Sequence, residues 1–198
     1  MRYGADHKEK TRDRVLAEAA KAIREEGPQG ISVAGVMARA GLTHGAFYAH
    51  FGSREALLAA GVERMFQDGR ARLTAAVETG GTPAQALASY INFYLSRDHR
   101  DAEGWGCPLP VLSGEAPRLT GEARERFVQG VRGLTGIVAG RLKDLGMEDP
   151  KANAASLLAE LVGALTLARS EPDPARSDAI LRASRRALRR RFGLEQPS

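Results

Sequence analysis

Residues 32–54 carry the pattern that most constrains the fold of this chain, because they predict two short helices joined by a tight turn. Ser32 is a favourable N-cap residue for the first of these helices. The apolar side chains that follow recur at the spacing of one helical face: Val33, Val36, Met37 and Ala40. Gly41 then supplies the left-handed backbone geometry that commonly ends a helix. These features are typical of a helix-turn-helix, in which the second helix enters the major groove of DNA.

The second helix of this pair separates its side chains into two sets. Phe47 and Phe51 point one way. Thr43, His44 and Tyr48 point elsewhere, and Thr43 is also placed to cap the helix. Residues at the N-terminus of such a helix face the floor of the groove. The predicted contacts to base edges therefore come from Thr43, His44 and Gly45.

Side chains that follow this first turn are predicted to contact the DNA backbone. The Tyr48 hydroxyl can reach a phosphate, and His50 and Arg54 lie near the flanking backbone, where contacts fix register rather than sequence preference. Three structural alternatives stay open: Tyr48 as a half-buried core residue, His50 as a hydrogen-bonded structural residue, and Thr43 as an N-cap alone. A candidate arm for phosphate or minor-groove contact, or else a disordered solubilising segment, contains Arg2, Lys8, Lys10 and Arg12.

Two runs in this stretch resemble the TetR/AcrR family of bacterial transcriptional regulators. They are GLTHGAFYAHF over residues 41–51 and SREALL over residues 53–58. The resemblance extends over about residues 8–62. It implies that the motif positions contact DNA and that Ser32, at the start of the preceding helix, bonds a phosphate. Ala34 stands where some relatives place a base-reading arginine, so direct readout is expected to be sparse and DNA shape to contribute.

Helical periodicity dominates the rest of the chain and predicts an all-α protein of about nine helices. The expected organisation is an N-terminal three-helix helix-turn-helix domain over residues 1–54 and a C-terminal helical ligand-binding and dimerisation domain over residues 55–198. Glycine and proline clusters separate the helices, and a polar loop is expected over residues 97–106. Helices are predicted over residues 8–26, 83–95, 120–145, 150–169 and 174–192, and another starts near Ser53.

The second domain contains the large side chains that are expected to line or close a pocket for a small-molecule effector. Aromatic groups with one polar atom suit such recognition and suggest an apolar or aromatic ligand. The candidate ligand-binding residues are Met65, Phe66, Tyr90, Phe93, Tyr94, Trp105, Cys107 and Phe127. For each of them a plain core role is the alternative.

Cys107 is the single cysteine of the chain, so an internal disulfide is excluded. The segment GCPLPVLSGE over residues 106–115 resembles a sub-branch of the same family that places a Gly-Cys-Pro-Leu run before a glutamate. In related branches a cysteine near this position responds to electrophiles or oxidants, and a helix N-terminus favours the thiolate. The alternative is a small buried residue at a turn.

The predicted mechanism is one-component transcriptional regulation. A single short recognition helix buries too little surface for tight specific binding, so a homodimer is expected on a palindromic operator of double-stranded DNA. The resemblance implies that the last two helices form the dimer as a four-helix bundle. A ligand that binds a splayed dimer more tightly lowers operator affinity. The resemblance implies a repressor that the ligand releases, and an activator is the alternative. The alternative from another class is a ligand-independent DNA-organising protein.

Composition and motif content limit the classes of protein to which this chain can belong. The net charge is +5, which favours contact with nucleic acid but does not identify it. No apolar run approaches the roughly 20 residues needed to cross a bilayer, and no signal peptide is recognisable, so a cytoplasmic protein without membrane contact is expected. We expect no metal, no cofactor and no enzymatic activity, because phosphate loops and nucleophile elbows are missing and the four histidines lack metal-ligand spacing: His7, His44, His50 and His99.

Overall fold

The computed structural model of the chain describes residues 2–78 and 81–194. Every regular element in these ranges is a helix, which confirms the predicted all-α class. In chain order they are α1 (Arg2–Gly30), α2 (Val33–Arg39), a 3₁₀ helix called the recognition helix (His44–Ala49), α3 (Arg54–Glu78), α4 (Pro83–Tyr94), α5 (Arg97–Asp101), α6 (Leu109–Leu112), a second 3₁₀ helix (Ala116–Arg118), α7 (Gly121–Asp144), α8 (Pro150–Ser170) and α9 (Pro174–Arg191). No helix in this part of the chain combines the length and apolar character needed to span a membrane.

The chain divides into two compact units by its packing. The first unit comprises Met1–Asp68 and Glu103–Gly130, and the second comprises Gly69–Ala102 and Val131–Ser198. Both contain part of α3, which passes from the first unit into the second after Asp68. These units reflect packing, and their bounds differ from the predicted functional domains of residues 1–54 and 55–198.

Capping residues and a left-handed glycine set the ends of the short helices in the first unit. The Ser32 Oγ accepts a hydrogen bond from the Gly35 N–H at 3.0 Å and caps α2 as predicted. Gly41 has a φ of 67°, the left-handed conformation predicted for the turn. Ser53 caps α3 by accepting from the Ala56 N–H at 3.1 Å. The predicted stop of the first helix is a break inside α1 at Gly27, where φ is 75° and ψ is 170°.

The core of the first unit forms where α1, α2, the recognition helix and α3 bury their apolar faces. Gly61 on α3 is a packing residue, because a Cβ there would lie 2.7 Å from the Ile23 Cδ1 of α1. The fully buried side chains include Val15, Ala19, Ile23, Met37, Leu57, Val62 and Met65.

The second unit contains one element that the sequence analysis missed. Residues 97–106 were predicted as a polar loop, but Arg97–Asp101 form α5, so that prediction is wrong for this part. The Ser96 side chain caps α5 by accepting from the His99 N–H at 3.1 Å. Arg169 on α8 donates to backbone carbonyl oxygens at the other end of this helix. Distant contacts therefore stabilise a helix that is too short to form by itself.

Candidate nucleic-acid interface

The recognition helix is short and is held to the first unit by its aromatic side chains. Phe47 is buried and stacks against the buried Phe51, with 5.7 Å between the ring centroids. The residues at the start of the helix, Thr43, His44 and Gly45, are exposed. The helix thus buries one side in the core and leaves the predicted base-contacting residues accessible to a ligand.

The exposed polar groups of the recognition helix do not cap the helix or form part of its core. Thr43 occupies the N-cap position in an extended conformation, yet its side chain makes no capping hydrogen bond. Tyr48 is 69% exposed, so it is not the half-buried core residue that the sequence left as an alternative. Its ring packs edge-on against Phe47 at 5.3 Å and against His44 at 6.1 Å. The hydroxyl groups of Thr43 and Tyr48 thus remain at the surface.

His50 lies at the end of the recognition helix beside basic residues of α1. Its Nδ1 is buried and has no hydrogen-bond partner among the described residues. Burial lowers the pKa of His50, and the positive charges of Lys8 and Arg12 lower that pKa further. The Arg12 guanidinium stacks over the Phe51 ring, 4.6 Å from its centroid. His50, Lys8 and Arg12 therefore lie close together, and a neighbouring anion would stabilise the positively charged form of each.

The basic residues predicted as a flexible or DNA-binding arm belong to α1. Lys8 and Arg12 are one helical turn apart, and this spacing places both near His50. Lys10 pairs with Asp6 at 2.9 Å. The side chain of Arg2 lies outside the described residues. Of this group, Lys8 and Arg12 are therefore the candidates for phosphate contact.

Ser32 and Arg54, the two remaining predicted contacts, differ in their surroundings. Ser32 is exposed at the start of α2. Arg54 is partly buried, and it donates to the backbone carbonyl oxygens of Pro28, Gln29 and Ile31, each at 3.3 Å. The sequence analysis did not predict this internal role for the Arg54 guanidinium, because the carbonyl groups come from a segment more than 20 residues earlier.

Five of the eight predicted ligand-binding residues belong to the first unit. Met65 and Phe66 are buried, and Phe66 meets Phe127 edge-on with 5.8 Å between ring centroids. Trp105 is 40% exposed and Cys107 is half-buried. The helix that follows this cysteine, α6, has four residues and offers only a short dipole for stabilising a thiolate.

The other three predicted ligand-binding residues belong to the second unit. Tyr90 and Tyr94 are buried, and their rings meet edge-on at 5.8 Å. Phe93 stacks on the ring of His99 with 5.3 Å between centroids and 15° between planes. His99 is 1% exposed, its Nδ1 lies 2.8 Å from the Tyr94 carbonyl oxygen, and burial lowers its pKa to about 4. The aromatic ring contacts among the predicted pocket residues thus form two clusters, Phe66 with Phe127 in the first unit and Tyr90, Phe93 and Tyr94 around His99 in the second.

Comparison with known proteins places this geometry in a family. Residues 15–60 match the family described as "Bacterial regulatory proteins, tetR family". The chain is similar to the HTH-type transcriptional repressor NemR of Escherichia coli (strain K12), with 26% identity over 135 residues that make up 68% of each protein. Among solved structures it is similar to the reduced form of E. coli NemR, with a TM-score of 0.79 and 24% identity over 91% of this chain and 96% of that one. A TetR-family regulator from Cytophaga hutchinsonii gives a TM-score of 0.80 and 22% identity over 97% and 98% of the two chains.

The matched residues include the whole helix-turn-helix described above. The chain carries the DNA-binding domain of the TetR family. It is a transcriptional regulator with a helix-turn-helix DNA-binding domain, as predicted, and its relatives are regulators rather than enzymes. The two solved structures share the fold over almost the full length of the chain.

Two further basic residues of this TetR-family chain have roles that the sequence analysis did not predict. Arg12 stacks on Phe51 and lies beside His50. Arg39, at the end of α2, donates to the carboxylates of Glu25 and Glu26. A spacing of four residues between Lys8 and Arg12 is a signal for a shared face, but nothing local in the sequence links Arg39 to α1.

Proposed function

We propose that this TetR-family regulator is a dimeric repressor that binds a palindromic operator and leaves it when a small apolar or aromatic effector binds. The observation that carries the DNA-binding part is the exposure of polar side chains on the recognition helix that make no contribution to its capping or core. Natural helices usually employ an N-cap hydroxyl in the cap itself. A Thr43 hydroxyl left at the surface is available to a base edge or a phosphate.

The proposed contacts divide into base-reading and backbone-binding groups. Thr43, His44 and Gly45 face the groove floor. Gly45 faces open space, since a Cβ there would meet no atom within 4 Å, and its lack of a side chain allows close approach. Phosphates are bound by Tyr48 and His50 from one side of the recognition helix and by Ser32 from the start of α2. Lys8 and Arg12 add positive charge beside His50.

The last two helices supply the proposed dimer interface. They pack against each other within the second unit, yet each also leaves a row of small side chains exposed. The row on α9 repeats every four residues: Ala175, Ala179, Ala183 and Ala187. On α8, Leu167 is 62% exposed, and Ala155 and Ala159 are exposed two to three turns earlier in the same helix. Small side chains allow two helices to approach closely, and an exposed leucine gains stability when a partner covers it.

The effector part of the proposal depends on α3 and on the two aromatic clusters. Because α3 contributes to both units, a ligand that changes the second unit can change the helix that carries the DNA-binding domain. Such a ligand shifts the population between dimer forms by its difference in affinity for them. Repression is supported by the name of the similar protein, NemR, a transcriptional repressor.

Selection of genomic DNA fragments by the purified full-length chain tests this proposal. We expect one strongly enriched palindrome, bound by a dimer, for the wild-type chain. A variant combining Thr43→Ala, His44→Ala and Tyr48→Ala removes only exposed side chains and should lose the enrichment while it stays folded. The control combines Arg132→Ala and Lys143→Ala, two exposed positions on α7, and should retain it. Many weak sites would instead favour the DNA-organising alternative, and a monomer on a non-palindromic site would contradict the dimer.

Cys107 supports a second candidate for the signal, a thiol that reacts with electrophiles or oxidants. Its segment resembles the sub-branch described above, and the similar solved structure is that of NemR in a reduced form. N-ethylmaleimide should then release wild-type protein from the selected operator but leave Cys107→Ser bound. Equal release of both proteins, or of neither, would restrict Cys107 to a packing role.

A further inference from the structure

The link between α1 and α2 contains backbone groups that its own helices do not satisfy. Gly27 adopts a left-handed conformation and breaks α1, so the carbonyl groups of Pro28 and Gln29 lie past the regular part of the helix. Arg54 donates through Nη2 to both of these oxygens, and through Nε to the carbonyl oxygen of Ile31. The first turn of α3 therefore holds the segment that leads into α2.

Arg39 makes the corresponding contact at the other end of α2. Its Nη1 lies 2.5 Å from the Glu25 Oε2 and its Nη2 lies 2.6 Å from the Glu26 Oε1. Both carboxylates belong to the last regular turn of α1 before the Gly27 break. Charge-assisted bonds of this length are the stronger class of protein hydrogen bonds. Arg39 therefore ties the end of α2 to the last turn of α1, and Arg54 ties the start of α3 to the segment that leads into α2.

These ties matter because the helices that they hold are very short. The seven residues of α2 and the six residues of the recognition helix lie well below the roughly 12 residues at which an isolated helix becomes marginally stable. Arg54 connects the end of the helix-turn-helix back to Ile31, the residue before Ser32. The chain between Ile31 and Arg54 thus forms a closed ring, which contains both Ser32 and the recognition helix.

We propose that Arg54 and Arg39 are positioning residues for operator binding, and that they act by holding α2 and the segment before it in place, without contacting DNA. This inference rests on the proposed DNA contacts of Ser32 and of the recognition helix. The guanidinium of Arg54 fixes the distance between those two contact points before DNA arrives. Such preorganisation raises affinity by lowering the ordering cost of binding. The assignment replaces the backbone contact that the sequence predicted for Arg54.

Lysine and alanine at position 54 separate a positioning role from a phosphate contact. Lysine retains the charge, but its single ammonium cannot reproduce the fork of the guanidinium that reaches three carbonyl oxygens. A direct phosphate contact therefore predicts that Arg54→Lys keeps most of the affinity. A positioning role predicts that Arg54→Lys and Arg54→Ala lose similar amounts, roughly tenfold, which corresponds to about 1.4 kcal/mol.

The experiment measures affinity of the full-length variants for the selected operator over a series of salt concentrations. We expect the salt slope of both Arg54 variants and of Arg39→Ala to equal that of the wild type, because no phosphate contact is lost. Arg126→Ala is the matched control, since Arg126 pairs with Glu63 and Glu122 in the same unit and lies outside the ring. Its affinity and slope should stay at the wild-type values.

Three results would overturn the inference: a slope that falls by about 0.9 in Arg54→Ala, as expected for one lost phosphate; full affinity in Arg54→Lys; or full affinity in Arg54→Ala. Each of these results can be obtained only if the wild-type chain binds an operator. If the wild-type chain selects no operator, that result counts against the proposed function instead. Amide hydrogen exchange over residues 32–36 provides the second readout, at a temperature where circular dichroism shows every variant folded. Faster exchange there in Arg54→Lys is expected, and unchanged exchange would contradict a positioning role.

Discussion

Two arginines in different units use the same chemistry on the protein backbone. Arg54, in the first unit, donates to three carbonyl oxygens after the break in α1. Arg169, in the second unit, donates to the carbonyl oxygens of His99, Arg100 and Ala102 at the end of α5. In both units a side chain from a long helix donates hydrogen bonds to carbonyl groups at the end of another helix.

The two arginines differ in the distances they make and in what surrounds them. The bonds from Arg169 measure 2.8 to 3.1 Å, whereas those from Arg54 measure 3.3 Å. Arg100, which accepts one of the Arg169 bonds, itself donates to Asp178 and Ser177 on α9. Polar groups in the second unit therefore hold one another in a connected network. Beside the proposed DNA surface, the hydrogen bonds from Arg54 to the backbone are longer and more exposed. Polar groups near them stay available to a ligand.

The largest expected effect is on the free energy of unfolding, which should depend more strongly on Arg169 than on Arg54. Arg169→Ala leaves three carbonyl groups at the end of α5 without this donor, and we expect the free energy of unfolding to fall by about 3 kcal/mol. Urea denaturation followed by circular dichroism measures it. Arg190→Ala removes an exposed arginine of α9 and should change the free energy by less than about 0.5 kcal/mol. A loss no larger than that of the control would show that the network does not depend on Arg169.

The buried histidine of the second unit should make the fold sensitive to acid. The pKa of His99 is about 4 in the folded chain, below its ordinary value of 6.5, so the unfolded chain binds more protons between these values. The contribution of the neutral His99 to the free energy of unfolding is fully present above pH 6.5 and is lost as the pH falls towards 4. From pH 7 to pH 5 we expect a loss of about 2 kcal/mol.

His99→Gln provides the matched variant for this measurement, because glutamine keeps a hydrogen-bonding group but does not titrate. The free energy of unfolding should differ less between pH 7 and pH 5 in the variant than in the wild type. An equal pH dependence in both proteins would assign the acid sensitivity to other groups.

Arg54→Ala should destabilise the fold less than Arg169→Ala does. Its bonds are longer and its side chain is only partly buried, so a loss of about 1 kcal/mol is expected from the same denaturation assay. The comparison between the two units would fail if Arg54→Ala lost as much stability as Arg169→Ala. It would be sharpened if Arg54→Ala affected operator affinity and Arg169→Ala did not, at a temperature where both variants stay folded.

The smallest expected effect concerns the histidine next to the recognition helix. Burial, Lys8 and Arg12 lower the pKa of His50 in the free protein, and a phosphate beside it would raise that pKa. Operator binding then takes up part of a proton on average, so affinity should rise as pH falls, by about threefold per pH unit. Fluorescence anisotropy at several pH values measures this effect. An identical pH profile in His50→Gln would remove His50 from the phosphate contacts.

Much of the helix-turn-helix could be predicted from the sequence, because its signals are local. Ser32 and Ser53 cap helices within three residues of themselves, and Gly41 takes the left-handed conformation that ends α2. The apolar spacing of Val36 and Met37 placed the buried face of α2 correctly. Signals of this kind need only a few neighbouring residues to be interpreted.

The missed features depend on residues far apart in the chain. The sequence pattern indicates a loop where the short helix α5 forms, because the Arg169 that supports this helix lies about seventy residues later. Arg54 was predicted as a DNA contact because its charge and position suit one, and the carbonyl groups that it binds are set by the break at Gly27. Neither pairing leaves a trace in the local pattern of hydropathy or charge.

Gly45 has a consequence for how a regulator of this kind can evolve. A Cβ added at this position meets no atom within 4 Å, and the neighbouring Thr43 and His44 are exposed. Mutations at these three adjacent positions therefore alter the chemistry offered to the groove while leaving the folding energy nearly unchanged. A duplicated gene could acquire a new operator in this way and keep its original signal. Divergence of target sites between copies would then precede any change in the second unit.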